Sequence, residues 1–279
     1  MIKTGEKSRL LLDLGSSTLR IFHDGKEIFH EEYQGEKIKL LSRGIPNNID
    51  LTAVYLKKVF RQKKINWWRQ DLVCLLPSSI TTLEKEIFAE VLAALNLGKW
   101  RFLPKFKAAA DLSSLIIDIG AETTELLLPF SQEATGITLP IGSHSLDEII
   151  IRALRKHYQF EISAKTAENI KKQIKDKNFL SHENKSAKMN VRGKNLLEFL
   201  PETKTIDMQT FQNDFLLFFE NLVQEILIFF SQLDIDHSLL LDRNLVLTGS
   251  GAALSALPTF FAAKFSMTVE YRPYFYVLN

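Results

Sequence analysis

The sequence predicts a duplicated α/β fold, and three glycine turns carry that prediction. Asp13-Leu14-Gly15-Ser16-Ser17 and Asp118-Ile119-Gly120-Ala121-Glu122-Thr123-Thr124 each directly follow an apolar run. Leu247-Thr248-Gly249-Ser250-Gly251-Ala252 repeats the arrangement near the end. Each reads as a strand entering a tight turn, where backbone N–H groups can surround a phosphate. The two aspartates add the hard oxygens that a hydrated Mg²⁺ requires. Three such turns in this order point to a nucleotide-binding fold built from two related halves.

The elements follow in order. Arg9 to Phe22 reads as a strand, the Asp13 turn and a returning strand. Asp24-Gly25 is a two-residue hairpin signal, after which Lys26 to Tyr33 resumes as a strand. Pro46-Asn47-Asn48 marks a loop, and Leu51, Val54, Tyr55 and Val59 lie at helical spacing. Asp71 to Leu76 is a buried strand stopped by Pro77, and Thr81/Thr82 open a helix through Leu95. Leu115 to Asp118 and Glu125 to Leu128 flank the second turn. Helices are expected from Ser145 to Tyr158 and from Ser163 to Lys175, with a polar loop from Lys177 to Ser186. Val191-Arg192-Gly193 and Lys204 to Met208 look like short strands. Phe211 to Leu233 is a long helix apolar almost all round, which implies burial on most faces. Leu245 to Leu247 is the last core strand, and Ala252 to Phe265 reads as helical.

Composition narrows the class. The 279 residues, 46% hydrophobic and 24% charged, suit a soluble protein of one large or two modest domains. A net charge of +2 does not select a nucleic-acid partner. Cys74 is the single cysteine, inside an apolar run, and reads as a buried small hydrophobe. The polar start and the lack of a long apolar stretch lead us to expect an intracellular protein.

These residues together resemble the actin, sugar-kinase and chaperone ATPase superfamily, and in detail the bacterial actin family MreB. Asp13-Leu14-Gly15 is similar to that family's first phosphate loop, and Asp118-Ile119-Gly120 with Thr123-Thr124-Glu125 to its second. Leu247 to Ala252 resembles its adenosine-side motif. The segments Ile141-Gly142…Leu146 to Ile150, Thr166 to Lys172, Val191 to Leu196, Leu200-Pro201 and the Pro77-Ser78 junction match in the same order. The likeness runs from about residue 9 to 270. It implies an actin-like ATPase fold of two lobes, each with a ribonuclease-H-like mixed sheet flanked by helices, and nucleotide in the cleft between them. The lobes would be 1–114 with 266–279, and 115–265 with a small subdomain at about 151–239.

The resemblance also implies a site. Asp13, Gly15, Ser16, Ser17, Thr18, Gly120, Thr123, Thr124, Gly249, Ser250 and Gly251 would contact nucleotide, and Asp13 and Asp118 would hold Mg²⁺ through water. As residues alone, the aspartates and hydroxyls could equally close turns on their own backbone. The chain departs from the family at the chemistry. Its second loop carries Ala121 and Glu122 where the family has glycines, and a carboxylate there would repel a polyphosphate. The family's water-orienting glutamate aligns with Lys105, which as an ammonium accepts no proton. The first lobe is trimmed: most of the small subdomain after the Asp24-Gly25 hairpin, the loop after Ala110 and a helix beyond Tyr276 have no counterpart.

Trp67 and Trp68, flanked by Arg61, Lys63, Lys64 and Arg69, fall where the family inserts apolar residues into the membrane. They fit an interfacial anchor, or else one caps the core and the other packs on a neighbour. Lys99 to Lys107 is basic and aromatic, but reads as a strand-to-helix connection with solvated lysines rather than a nucleic-acid site. The six histidines show no metal-ligand spacing.

The expected function is therefore an MreB-like cytoskeletal scaffold on the cytoplasmic, inner face of the membrane. It would self-associate into filaments or co-assemble with a conventional MreB and meet cell-shape membrane proteins. ATP and Mg²⁺ would bind with reduced affinity and hydrolysis would be weak or lost. An active Mg²⁺-ATPase and a monomeric adaptor of a pilus or division complex remain open as alternatives.

Overall fold

Strand formation and chain reversal coincide at the first glycine turn. The computed structural model describes residues 9–32, 40–65, 71–96, 99–108, 113–128, 135–181, 187–232 and 243–273. In it, β1 (Arg9–Leu14) enters the turn and β2 (Thr18–His23) returns antiparallel, pairing Asp13 with Arg20. Asp24 and Gly25 both take positive φ, 47° and 77°, as a two-residue hairpin of the primed type requires. β3 (Lys26–Glu32) follows. A further hairpin, β4 (Leu41–Ser42) and β5 (Ile45–Pro46), turns through Arg43 and Gly44, also at positive φ.

Helix starts in this half are set by side-chain caps. Asn48 accepts from the Leu51 N–H at 2.9 Å and opens α1 (Ile49–Gln62). β6 (Asp71–Leu76) runs parallel to β1. α2 (Thr82–Ala94) begins with a capping box, in which the Glu84 N–H donates to Thr81 Oγ1 at 3.2 Å and the Thr81 N–H donates to Glu84 at 2.9 Å. β7 (Lys99–Pro104) lies parallel to β6 and runs into a single 3-10 turn, Lys105–Lys107. The sheet order is β3-β2-β1-β6-β7. Leu11, Val73 and Leu75 are buried as fully as Leu10, Leu12 and Leu72, so β1 and β6 are covered on both faces, as central strands are. Leu56, Val59 and Phe60 of α1 and Phe88, Val91 and Leu92 of α2 pack with Cys74 and its neighbours in one core.

The second half repeats the plan. β8 (Leu115–Ile119), β9 (Thr124–Leu128) and β10 (Thr135–Leu139) lead into α3 (His144–Tyr158). After β11 (Phe160–Glu161), Ser163 caps α4 (Ala164–Gln173). β12 (Lys188–Asn195) and β13 (Pro201–Asp207) complete a three-stranded antiparallel sheet with β11, and α5 (Gln209–Gln232) follows. β14 (Leu245–Thr248), α6 (Leu257–Phe265) and β15 (Val269–Tyr271) end the described chain. The larger sheet reads β10-β9-β8-β14-β15, the same connectivity as the first. By its contacts the chain forms two compact units: Met1–Ile116, Gly120–Pro140 and Tyr274–Asn279 in one, Ile117–Ile119 and Ile141–Pro273 in the other. β15, from the segment expected with the first lobe, pairs parallel to β14.

Four expectations differ from what is seen. Lys99–Pro104 is an edge strand rather than a connection, its charged residues facing outward while Phe102 meets Phe88 edge-on. The last helix starts at Leu257 instead of Ala252, because Leu254 is extended and Pro258 sits in the first helical turn. The segment after Lys177 is anchored, not simply polar: Phe179 is buried against Phe211 and Phe215. Finally, α5 leaves one side open, with Leu217, Leu227 and Ile228 exposed. Among the described residues no helix is long and apolar enough to cross a membrane.

The capping box gives a pH-dependent prediction. Hydrogen bonds from Thr81 hold the Glu84 carboxyl below its ordinary pKa. A depressed pKa contributes stability above the unfolded value that is lost as pH falls through the folded one. Thr81→Ala should therefore cost about 1 kcal/mol at pH 7, and urea titrations should show that gap narrowing below pH ~4.

Candidate functional site

The same bond closes both aspartate turns. The Gly15 N–H donates to Thr18 O at 2.9 Å, and the Gly120 N–H donates to Thr123 O at 2.8 Å. A Cβ on Gly15 would stand 3.2 Å from the accepting oxygen, and on Gly120 only 2.9 Å. A Cβ would thus crowd the closing bond at Gly15 and clash with it at Gly120, and the closure leaves Asp13 and Asp118 at the strand ends. Both carboxylates are buried, 6% and 9% exposed. Ser16, Ser17, Thr18 and Thr123 are half-buried around their turns, and Thr124 is buried on β9.

Glu122 and Lys105 both have definite partners. The Glu122 carboxylate accepts the backbone N–H of Arg43, at the left-handed corner between β4 and β5. It thereby ties the second turn to that hairpin and satisfies a donor that strand pairing does not use. Lys105, at the head of the 3-10 turn, places Nζ 3.8 Å from Asp13 Oδ1, with the lysine side chain only 13% exposed.

A third carboxylate, Glu125, appears in the sequence only as part of a motif. It is 2% exposed and must be hydrogen-bonded to be tolerated there. The Ser78 N–H donates to it at 3.0 Å and the Thr138 hydroxyl at 3.1 Å. Ser79 and Thr138 add a reciprocal pair, each backbone N–H donating to the other's hydroxyl oxygen at 3.0 Å. The network fixes the Pro77-Ser78 junction to β9 and β10. Its sequence signal was a glutamate on an otherwise apolar strand.

The third turn packs on the end of β8. Gly249 has φ 89°, and a Cβ there would lie 2.4 Å from both Asp118 Oδ1 and Ile119 O. A Cβ on Gly251 would lie 2.7 Å from Ile119 Cγ2 and Ser143 Cβ. Ser250, between them, is exposed. Behind this turn is an ion pair that the sequence did not single out. Lys171 Nζ stands 2.8 Å from Asp147 Oδ1 and donates to Ser143 O at 2.9 Å. Burial pushes the Asp147 carboxyl up and the Lys171 ammonium down, each opposed by its partner's charge.

For a metal, the donor set is thin. Asp13 Oδ1 is buried and accepts no hydrogen bond, yet the ammonium of Lys105 stands beside that same atom. The charge beside Asp13 in this structure is therefore an ammonium of the chain itself. Among the described residues no group of three or more His, Cys, Asp or Glu could hold a metal. Trp67 and Trp68, expected at a membrane, lie outside the described residues.

The paired turns and matching sheets have a counterpart in known proteins. The family model for MreB/Mbl protein matches residues 23–274. The chain belongs to the MreB/Mbl family. Among MreB/Mbl relatives, the cell shape-determining protein MreB of Escherichia coli strain K12 is 29% identical over 257 residues, 86% of this chain and 73% of that protein. The crystal structure of MreB5 of Spiroplasma citri bound to AMPPNP superposes with a TM-score of 0.83 at 19% identity, covering 96% of this chain and 92% of that one. The MamK double helical filament gives a TM-score of 0.74 at 15% identity, covering 95% and 94%. The fold is the actin-like ATPase fold, in a member of a cytoskeletal, cell-shape family.

The glycine requirements can be separated by mutation. Gly249→Ala combines positive φ with backbone overlap and should lower stability by roughly 2 kcal/mol or more. Gly25→Ala, with φ 77° and nothing within 4 Å of the added Cβ, carries the backbone strain alone. It should cost about 1 kcal/mol. Equal losses in chemical denaturation would show that the third turn does not pack on β8 as described.

Proposed function

We propose that this chain is a cytoskeletal scaffold of the MreB/Mbl family with a nucleotide site of reduced affinity and weak or lost ATP turnover. It joins or forms filaments on the inner face of the membrane, alone or with a conventional MreB, and meets cell-shape membrane proteins there. The observation that carries the reading is Lys105. By resemblance it stands where the family has its water-orienting glutamate, and its ammonium, paired with Asp13, accepts no proton from water. Nucleotide binding draws support from the MreB5 structures, which hold AMPPNP and ADP. Assembly draws support from the MamK filament. A head-to-tail contact that does not close gives open filaments of that general kind. The nucleotide contacts in this reading are Asp13, Gly15 to Thr18, Gly120, Thr123, Thr124 and Gly249 to Gly251, with Asp118 left as the carboxylate for any hydrated metal. A division into two lobes near residue 115 belongs to the same reading, as does membrane contact through Trp67 and Trp68.

Three measurements test it together. ATP should raise the melting temperature, since a ligand of the native state alone stabilises it. Phosphate release should run at least about tenfold slower than for E. coli MreB under the same conditions, an increment of about 1.4 kcal/mol in barrier. Sedimentation with lipid vesicles should pellet the protein cooperatively. Turnover equal to that of E. coli MreB, or a protein that stays monomeric at high concentration with and without lipid, would overturn the reading. Glu122→Gly should enlarge the ATP-induced shift while lowering the nucleotide-free melting temperature, because the Arg43 N–H loses its acceptor.

A further inference from the structure

Asp13 and Lys105 are far apart in sequence, and the fold buries them side by side. Asp13 Oδ1 accepts no hydrogen bond, and Lys105 Nζ is 3.8 Å away, longer than a hydrogen-bonded ion pair. That separation has a meaning in metal chemistry. A Mg²⁺ holds its waters at about 2.1 Å, and a carboxylate bonded to one of those waters lies a further hydrogen bond away, which places metal and carboxylate oxygen about 4 Å apart. The ammonium therefore stands from Asp13 at the distance an outer-sphere Mg²⁺ would keep. A lysine also offers what a phosphate chain needs from a cation, a compact positive charge with three donors.

We propose that Lys105 is a built-in replacement for the metal. Its ammonium neutralises Asp13 and meets the phosphates of a nucleoside di- or triphosphate directly, so that the ligand binds without Mg²⁺. The two cations exclude one another, because a divalent ion beside Asp13 would lie within a few ångströms of Nζ. The main chain of Lys105 is held by the 3-10 turn, where the Ala108 N–H donates to its carbonyl at 3.0 Å, and its side chain is 13% exposed. The proposal rests on the nucleotide-binding reading above and adds the identity of the counter-cation.

Isothermal titration of the full chain with ADP and with ATP, in EDTA and again in excess Mg²⁺, separates the two ideas. The wild type should bind with dissociation constants that agree within about threefold in both media, far less than the tenfold that one unit of pKa-sized electrostatic energy would give. Lys105→Gln should lose about tenfold or more in EDTA and recover in Mg²⁺, Lys105→Arg should keep metal-free binding, and Lys105→Glu should bind only with Mg²⁺. Circular dichroism without nucleotide checks that each variant is folded, and the wild-type comparison stands even if a variant is not. Wild-type binding that requires Mg²⁺, or a folded Lys105→Gln that binds as well as wild type in EDTA, would overturn the metal replacement and leave nucleotide binding intact. No binding in either medium would overturn the nucleotide reading itself.

Discussion

The hydrogen bond from a glycine N–H to the carbonyl three residues on, made once by Gly15 and once by Gly120, sets the rest of the architecture. It reverses the chain within four residues, so that the returning strand pairs with the one just left and the aspartate stays at the strand end. A side chain would press on the accepting oxygen at both glycines, and at Gly120 something must shift to admit it. The same bond recurs and so does the sheet: three strands in a meander, then two more added beyond the first strand of each. The third turn depends on this arrangement in another way. Gly249 and Gly251 lack the Cβ atoms that would keep β14 off the end of β8, so the second aspartate turn is buttressed from behind.

Within this frame, the charged side chains around the turns are tied to specific partners. Glu122 ends on the Arg43 N–H, Glu125 on Ser78 and Thr138, and Lys105 beside Asp13. Each of these groups has a partner that answers its burial, as low-dielectric surroundings require. The turns and their surroundings thus satisfy much of their own charge and hydrogen-bonding capacity.

Much of the fold was legible because local chemistry and tertiary context agree. Asp24-Gly25 announces its hairpin, Thr81 with Glu84 announces a helix start, and the apolar runs before each turn are central strands. Lys99–Pro104 differs from its reading because an edge strand tolerates outward residues such as Lys99 and Arg101, which look like a solvated loop in a linear sequence. Phe179 was missed because a single aromatic in a polar stretch reveals nothing of the Phe211–Phe215 pocket that receives it. The candidate site was legible as a set of turns, through their glycines and aspartates. Its pairings were not. Lys105 with Asp13 and Lys171 with Asp147 join residues distant in sequence, and no local pattern encodes such a distance.

Cys74 lies at the middle of β6, flanked by β1 and β7, fully buried, with its thiol pushed upward in pKa by that burial. It is also the only cysteine in the chain. A thiol in that state does not react with alkylating reagents from outside, since the thiolate is the reactive form and no reagent can approach it. Labelling must wait for the sheet to part. The protein therefore carries its own stopwatch for breathing of the first sheet. The rate at which it takes up a thiol reagent reads directly how tightly the fold holds the central strands together.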